Sequence, residues 1–226
     1  QNSVVELSYK YDSMSHIVKE SETGEISKEY SYNLADQRTS YTLKKGGSVQ
    51  SSTTYTYDEL ARLLTAAGDG VTVSYAYDAN GNRISETRGN GIITNYTYNQ
   101  ANLVTRMTNK LGSSIQSSYD YTYYLDGNQK SKTDHTGRRT DYTYDGAGRL
   151  INETETDDAE RPVFSVAYVY DDYGNRSSMT VSGAENYMTI YTYDLNNRLL
   201  SEAKTQDGAT VTTAYGYDAN GNQIQT

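Results

Sequence analysis

The pair Tyr-x-Tyr recurs along the chain with its second tyrosine at Tyr11, Tyr32, Tyr57, Tyr77, Tyr98, Tyr123, Tyr144, Tyr170, Tyr193 and Tyr217, at intervals of 20 to 26 residues. A period of this length marks a repeat architecture in which one supersecondary unit is copied and each copy leans on its neighbours. Seven copies continue with aspartate, at Asp12, Asp58, Asp78, Asp145, Asp171, Asp194 and Asp218; Asn33 and Asn99 follow two others, and Tyr124 follows the remaining one. A second period lies over the first. Tyr77, Tyr123, Tyr170 and Tyr217, spaced 46 or 47 residues apart, precede Gly-Asn-Arg or Gly-Asn-Gln, whereas Tyr57, Tyr144 and Tyr193 precede Arg-Leu.

Within each copy the pattern is that of β structure. In Val71-Thr-Val73-Ser-Tyr75-Ala-Tyr77 large apolar and small residues alternate. Period two places Val71, Val73, Tyr75 and Tyr77 on one face. Phe164 to Tyr170 and Val211 to Tyr217 read the same way, in Thr, Tyr and Val, the residues strands favour. The Asp-x-x-Gly that follows is a turn signal. Asp58, Asp78, Asp145, Asp171, Asp194 and Asp218 can accept hydrogen bonds from the backbone two residues on, and Gly81, Gly148, Gly174 and Gly221 tolerate a left-handed conformation. A return strand such as Arg83 to Thr87 and a second turn at Arg88-Gly-Asn-Gly91 complete the copy. No segment carries a helical period. The expected fold is all-β: about ten tandem hairpins over residues 1–226, forming one array and a long, curved, open antiparallel sheet. Tyrosines at the same register are expected to stack in rows across the strands.

Composition narrows the function. There is no Cys, so disulfides and thiolate metal sites are excluded. The net charge is −9 with both signs interspersed, which argues against a nucleic-acid partner. No apolar run approaches the roughly 20 residues of a membrane helix. Leu, Ile, Val and Phe are sparse enough to suggest disorder, but 25 tyrosines supply apolar rings with a polar tip and restore a packed layer. The single proline, Pro162, follows an acidic loop signal at 157–160, as expected if long sheets exclude proline. The chain begins at Gln1 without a methionine and reads as a segment of something longer.

Candidate chemistry is thin. Asp78-x-Asn80-Gly-Asn82 begins like a calcium loop, but the twelfth position, where a bidentate Glu is needed, is Gly89. An Asx turn is the simpler reading, and no metal or other cofactor is expected. His16 and His135 have no nucleophile or acid partner at a recognisable spacing, and His135 sits in a turn signal, Asp134 to Gly137. No catalytic residue is assigned. Rows of tyrosine could offer a carbohydrate platform, although the chain has no Trp.

Copies such as Tyr75-Ala-Tyr77-Asp78-Ala-Asn-Gly81-Asn82-Arg83 and Tyr142-Thr-Tyr144-Asp145-Gly-Ala-Gly148-Arg149-Leu150 closely resemble the YD repeat of the Rhs (rearrangement hotspot) proteins, Tc-toxin shell components, wall-associated proteins and teneurins. The resemblance covers nearly the whole chain. It implies a strip of β-hairpins that spirals into a hollow shell, which in bacterial members encloses a C-terminal toxin; other members are surface or adhesion proteins, some linked to carbohydrates. A secreted or cell-surface bacterial protein is therefore implied. The family's Asp-Pro-x-Gly-Leu self-cleavage boundary has no counterpart, since Pro162 follows Arg161. The expected function is a non-catalytic scaffold whose partner is the rest of its own polypeptide. The alternative is a module that binds glycans or cell surfaces. Open sheet edges would also allow self-association.

Overall fold

In a computed structural model, residues 6–23 and 25–225 are described, and they contain strands and turns but no helix. They fall into two compact units that meet between Ser117 and Ser118. The first holds β1 (Leu7–Tyr11), β2 (Ile17–Glu22), β3 (Ile26–Tyr32), β4 (Arg38–Lys45), β5 (Ser48–Tyr57), β6 (Leu63–Gly68), β7 (Val71–Tyr77), β8 (Arg83–Arg88), β9 (Ile92–Tyr98) and β10 (Val104–Leu111). Each pairs antiparallel with the next in sequence.

The second repeats the scheme. It runs through β11 (Ser114–Tyr123), paired from Tyr119 onward, β12 (Gln129–Asp134), β13 (Arg139–Tyr144), β14 (Leu150–Thr156), β15 (Pro162–Tyr170), β16 (Arg176–Ser182), β17 (Tyr187–Tyr193), β18 (Leu199–Gln206) and β19 (Ala209–Ala214). These too pair antiparallel in sequence order. A separate ribbon, β20 (Gly216–Tyr217) and β21 (Gln223–Gln225), carries the last tyrosine. Pro162 opens β15, a place where its missing N–H breaks no interior ladder.

Every tyrosine of the series ends its strand in the same local geometry. Tyr77 faces Arg83 and Ala76 faces Ser85, which leaves Ile84 as an extra residue on the return strand. The same one-residue bulge follows Tyr11, Tyr32, Tyr57, Tyr98, Tyr123, Tyr144, Tyr170, Tyr193 and Tyr217. A bulge adds local twist and re-aims the side chains beside it. The loop between is closed by two backbone bonds, Asp78 N to Asn82 O at 2.9 Å and Gly81 N to Asp78 O at 3.1 Å. The closing residue is left-handed. Glycine fills it at Gly81 (φ 87°) and Gly174 (φ 89°), but Ser15 (φ 69°), Asp36 (φ 60°) and Ala61 (φ 66°) adopt it with a Cβ.

The two faces differ chemically. On one, Tyr75 lies opposite Glu86 and Tyr77 opposite Arg83. On the other, the residue between the tyrosines meets a small partner. Hydroxyl pairs form there between Thr56 and Thr65 (2.6 Å), Thr122 and Ser131 (2.7 Å), and Thr192 and Ser201 (2.7 Å). Burial is shallow. Among the described residues only Val166, Val181 and Tyr191 are apolar and buried, and the tyrosine rows are mostly half-exposed. The sheet is one layer thick within each unit, so there is no second layer whose packing could hold the hairpins together.

An alanine in the left-handed region carries a steric penalty of roughly 1–2 kcal/mol that glycine escapes, offset in part by glycine's greater freedom when unfolded. Ala61→Gly is expected to raise stability by about 0.5–1 kcal/mol, read as a higher urea midpoint. A lower midpoint would contradict the turn geometry.

Candidate functional site

Each turn is organised by the residue that follows the tyrosine. Asp58 Oδ1 accepts from the backbone N–H groups of Leu60 (3.0 Å) and Arg62 (2.9 Å), and Oδ2 accepts from Arg62 Nε (2.7 Å). Asp145 with Arg149 and Asp194 with Arg198 repeat this, both at 2.7 Å from Nε. In the other class an amide replaces the guanidinium. Asn82 Nδ2 donates to Asp78 Oδ2 at 2.9 Å, Asn175 to Asp171 at 3.1 Å, and Asn222 to Asp218 at 2.9 Å. Asn33 and Asn99 fill the position with a carbonyl oxygen that takes the same two backbone bonds. At Tyr124 the carboxylate is missing, and Asp126 two residues later accepts from Asn128 instead.

The device also closes turns at the opposite ends of strands. Asp134 accepts from the backbone of Thr136 and Arg138, and Asp157 from that of Ala159 and Arg161. A search keyed to tyrosine does not find these two as copies of the same turn. The shared signal is an Asp followed four residues later by a donor-bearing side chain.

Bonds of this kind favour the ionised acid. The Asp58, Asp145 and Asp194 carboxyls are held below the usual carboxylate range, first by the backbone N–H of Arg62, Arg149 and Arg198 respectively, with the guanidinium adding to it. Asp78 and Asp218 are lowered chiefly by the amides of Asn82 and Asn222. With Asp78 already accepting from Asn80, Asn82 and the Asn82 amide, its oxygens are committed to the turn. Among the described residues no group of three or more His, Asp and Glu side chains is placed to hold a metal ion.

The tyrosines connect one turn to the next. Tyr77 Oη donates to Leu63 O at 2.9 Å, and Leu63 is the residue opposite Tyr57 in the preceding copy. Tyr32 reaches Ile17 O (3.1 Å), Tyr57 reaches Arg38 O (2.8 Å) and Tyr98 reaches Arg83 O (2.7 Å). In the second unit Tyr170 reaches Leu150 O (2.8 Å), Tyr193 reaches Arg176 O (3.0 Å) and Tyr217 reaches Leu199 O (2.9 Å). Each acceptor lies opposite the previous tyrosine of the series. The chain of bonds changes at Tyr144, whose hydroxyl has no hydrogen-bond partner among the described residues. There Tyr124 Oη bonds Tyr142 O at 3.0 Å, and the Tyr124 and Tyr144 rings meet edge-on at 6.2 Å. The cleft beside them, about 460 Å³, is lined by Tyr124, Leu125, Asp126, Thr143, Tyr144 and Asp145.

The ring contacts found among the described residues do not join successive tyrosines of the series into rows. Successive tyrosines of the series stand two strands apart, roughly 9–10 Å, beyond stacking distance. Arginines fill the gap. Arg62 lies 4.7 Å from the Tyr77 ring centre, Arg149 4.6 Å from Tyr170 and Arg198 5.0 Å from Tyr217. Arg83 sits between Tyr75 and Tyr96, and Arg176 between Tyr168 and Tyr191. A guanidinium over a tyrosine face is attracted by the ring quadrupole.

The family model of the RHS repeat matches residues 77–114 and 123–162. A comparison with curated proteins finds no match. Among solved structures, the TcdB2–TccC3–Cdc42 crystal structure is similar with a TM-score of 0.73 and 18% identity, over 97% of this chain and 14% of that one. TcdB2–TccC3 gives 0.62 and 13%, over 96% and 15%. A Photorhabdus luminescens Tc holotoxin pore with a TccC3 variant gives 0.59 and 13%, over 92% and 14%. The chain thus spans about a seventh of the length of these structures, and at this identity the likeness is one of fold.

Two measurements check the site. Tyr77→Phe is expected to cost about 0.5–1.5 kcal/mol, the worth of one hydrogen bond, whereas Tyr144→Phe should stay within about 0.5 kcal/mol; equal losses in urea melts would show that the hydroxyl link carries nothing. Because the turn aspartates are lowered on folding, their contribution is present above the ordinary Asp value of about 3.9 and disappears as pH falls through the lower folded value. The urea midpoint should therefore drop below about pH 4, and a flat profile to pH 2 would contradict it.

Proposed function

We propose that this chain, a member of the RHS-repeat family, is a non-catalytic wall segment of a β-hairpin shell in an exported bacterial protein. The observation that carries this reading is the recurrence of one fastening, tyrosine hydroxyl to preceding-copy carbonyl, at seven tyrosines. A fastening that depends only on the neighbouring copy can be continued without redesign, which suits a wall. The partner is then the remainder of the same polypeptide, with cargo enclosed as the resemblance implies. The edge strand β1, exposed at every position, would abut further repeats or self-associate.

A second reading has its own observation. A cleft of about 400 Å³ between two turns is lined by Tyr173, Tyr191, Tyr193, Asn175 and Asn197 among others, and Tyr173 is 82% exposed. An exposed aromatic ring beside amides suits a sugar face, so a glycan-binding role at the cell surface is the alternative. A glycan array with the intact chain and Tyr173→Ala separates the two. The wall reading expects no binding in either. Binding that Tyr173→Ala abolishes would replace it with the surface-binding reading.

A further inference from the structure

The fifth residue after a tyrosine of the series reaches the following turn in two ways. Asn82 Nδ2 donates to Asp78 Oδ2 in its own turn and to Asn102 Oδ1, at 2.8 Å, in the next. Asn175 spans Asp171 and Asn197 in the same way, the second bond being 2.9 Å. Asn102 and Asn197 are the left-handed closing residues of their turns (φ 59° and 61°). An amide N–H₂ has the two donors this bridge needs, and asparagine tolerates the left-handed backbone. The longer arginine needs no side chain at the closing position. Arg62 holds Asp58 Oδ2 with Nε (2.7 Å) and the backbone carbonyl of Asp78 with Nη1 (3.0 Å). The closing residues after Arg62, Arg149 and Arg198 are Gly81, Gly174 and Gly221. A Cβ on Gly174 would lie 3.7 Å from Arg149 Nη1, and one on Gly221 4.0 Å from Arg198 Nη1, so a guanidinium stands where asparagine stands elsewhere.

The joint between the copies at Tyr123 and Tyr144 fits neither scheme. Its fifth residue is Asn128 and the next closing residue is Gly148 (φ 75°). Asn128 Nδ2 donates to Asp126 Oδ2 at 3.0 Å, and a Cβ on Gly148 would lie 3.7 Å from the same nitrogen. The amide thus stands against the closing residue, but glycine offers it no side-chain acceptor. The Tyr144 hydroxyl adds no link. Beyond the ladder the joint has the bond from Tyr124 Oη to Tyr142 O and the edge-on contact of Tyr124 with Tyr144, both made by an exposed ring. The ladder is short: β12 and β13 pair at Ser131–Asp141, Lys132–Thr140 and Thr133–Arg139. β8 and β9 also pair at three positions, but the Tyr98 hydroxyl bond and the Asn82 bridge secure that joint. In the first unit Gln37, with Ala61 at the next closing position, keeps a buried Nε2 without a hydrogen-bond partner.

We propose that the fifth residue of one turn and the closing residue of the next are a matched pair that selects which copies can stand side by side, and that the unmatched pair Asn128–Gly148 makes the β12–β13 joint the seam at which the second unit parts. Asparagine is matched by asparagine and arginine by glycine; an amide against glycine leaves a donor unused. Local opening takes place where few contacts oppose it, at a free energy below that of global unfolding. The hairpins on either side of the seam keep their own turns and ladders while it opens. The seam follows from the joints alone, and it holds whether the chain is a wall segment or a surface-binding module.

Hydrogen exchange on the intact chain tests this. Amides of the β12–β13 ladder are expected to be about two- to tenfold less protected than those of β16–β17, the span of one net hydrogen bond. The β16–β17 joint carries the Tyr193 bond and the Asn175 bridge. Gly148→Asn supplies the missing acceptor and should raise β12–β13 protection by about the same factor, leaving β16–β17 unchanged. In an Asn128→Ala background the same substitution should bring no gain, because the donor is gone. Asn197→Gly, the converse change, should lower β16–β17 protection, whereas Asn197→Asp keeps an acceptor and should preserve it. Equal protection of the two ladders in the native chain, no gain from Gly148→Asn, a gain that survives Asn128→Ala, or no loss from Asn197→Gly would each overturn the matched pair and its seam.

Discussion

A sheet one layer thick has no opposing core, so whatever holds consecutive hairpins in order must lie within the sheet. The bond from a tyrosine hydroxyl to the carbonyl opposite the previous tyrosine does this. It spans from one copy to the next, satisfies the polar tip of a half-buried ring, and favours one register, because each hydroxyl takes the carbonyl opposite the previous tyrosine. Each such bond is worth about 1 kcal/mol. A succession of them is a sizeable part of the 5–15 kcal/mol that separates folded from unfolded chains. Phenylalanine would supply the ring without the link, which explains why an array with 25 tyrosines has a single Phe.

The aspartate turn makes that bond repeatable. By accepting two backbone N–H groups it fixes a five-residue loop, and the loop sets the bulge that follows every tyrosine of the series. The bulge places the residue opposite the tyrosine so that its carbonyl is offered to the next copy. The fifth residue then adjusts the joint. Arginine covers the next tyrosine ring, and Asn82 and Asn175 bridge to the next turn. The tyrosine and its trailing acceptor stay nearly constant between copies, while the fifth residue is Arg or Asn in seven of the ten.

Strand content, turn positions and the antiparallel order of neighbouring strands were legible in the sequence, because period two and Asp-x-x-Gly act over a few residues. The tyrosine rows were misjudged as stacks, since residues alike in register are two strands apart and the intervening arginine is invisible to a search for tyrosine. The turn at Asp134 and the loop at Asp157 were legible as such, but not as copies of the same device, because they keep the acceptor and the donor but lack the tyrosine. The copy at Tyr124 announced itself as irregular. Its consequence, an unpaired Tyr144 hydroxyl beside a cleft, depended on where two neighbouring hairpins lie.

By itself the sequence determined what each hairpin is: a tyrosine-ended strand, a turn closed by its own carboxylate, and a return strand. These are set by backbone sterics and by hydrogen bonds between residues two to four apart. Only the tertiary structure decided what each hairpin touches. Which carbonyl receives a hydroxyl and which ring lies under an arginine join residues 8 to 21 positions apart. Those pairings depend on the bulge and twist that carry one copy over the next. Local preference cannot specify them, because they exist only once neighbouring copies are in register.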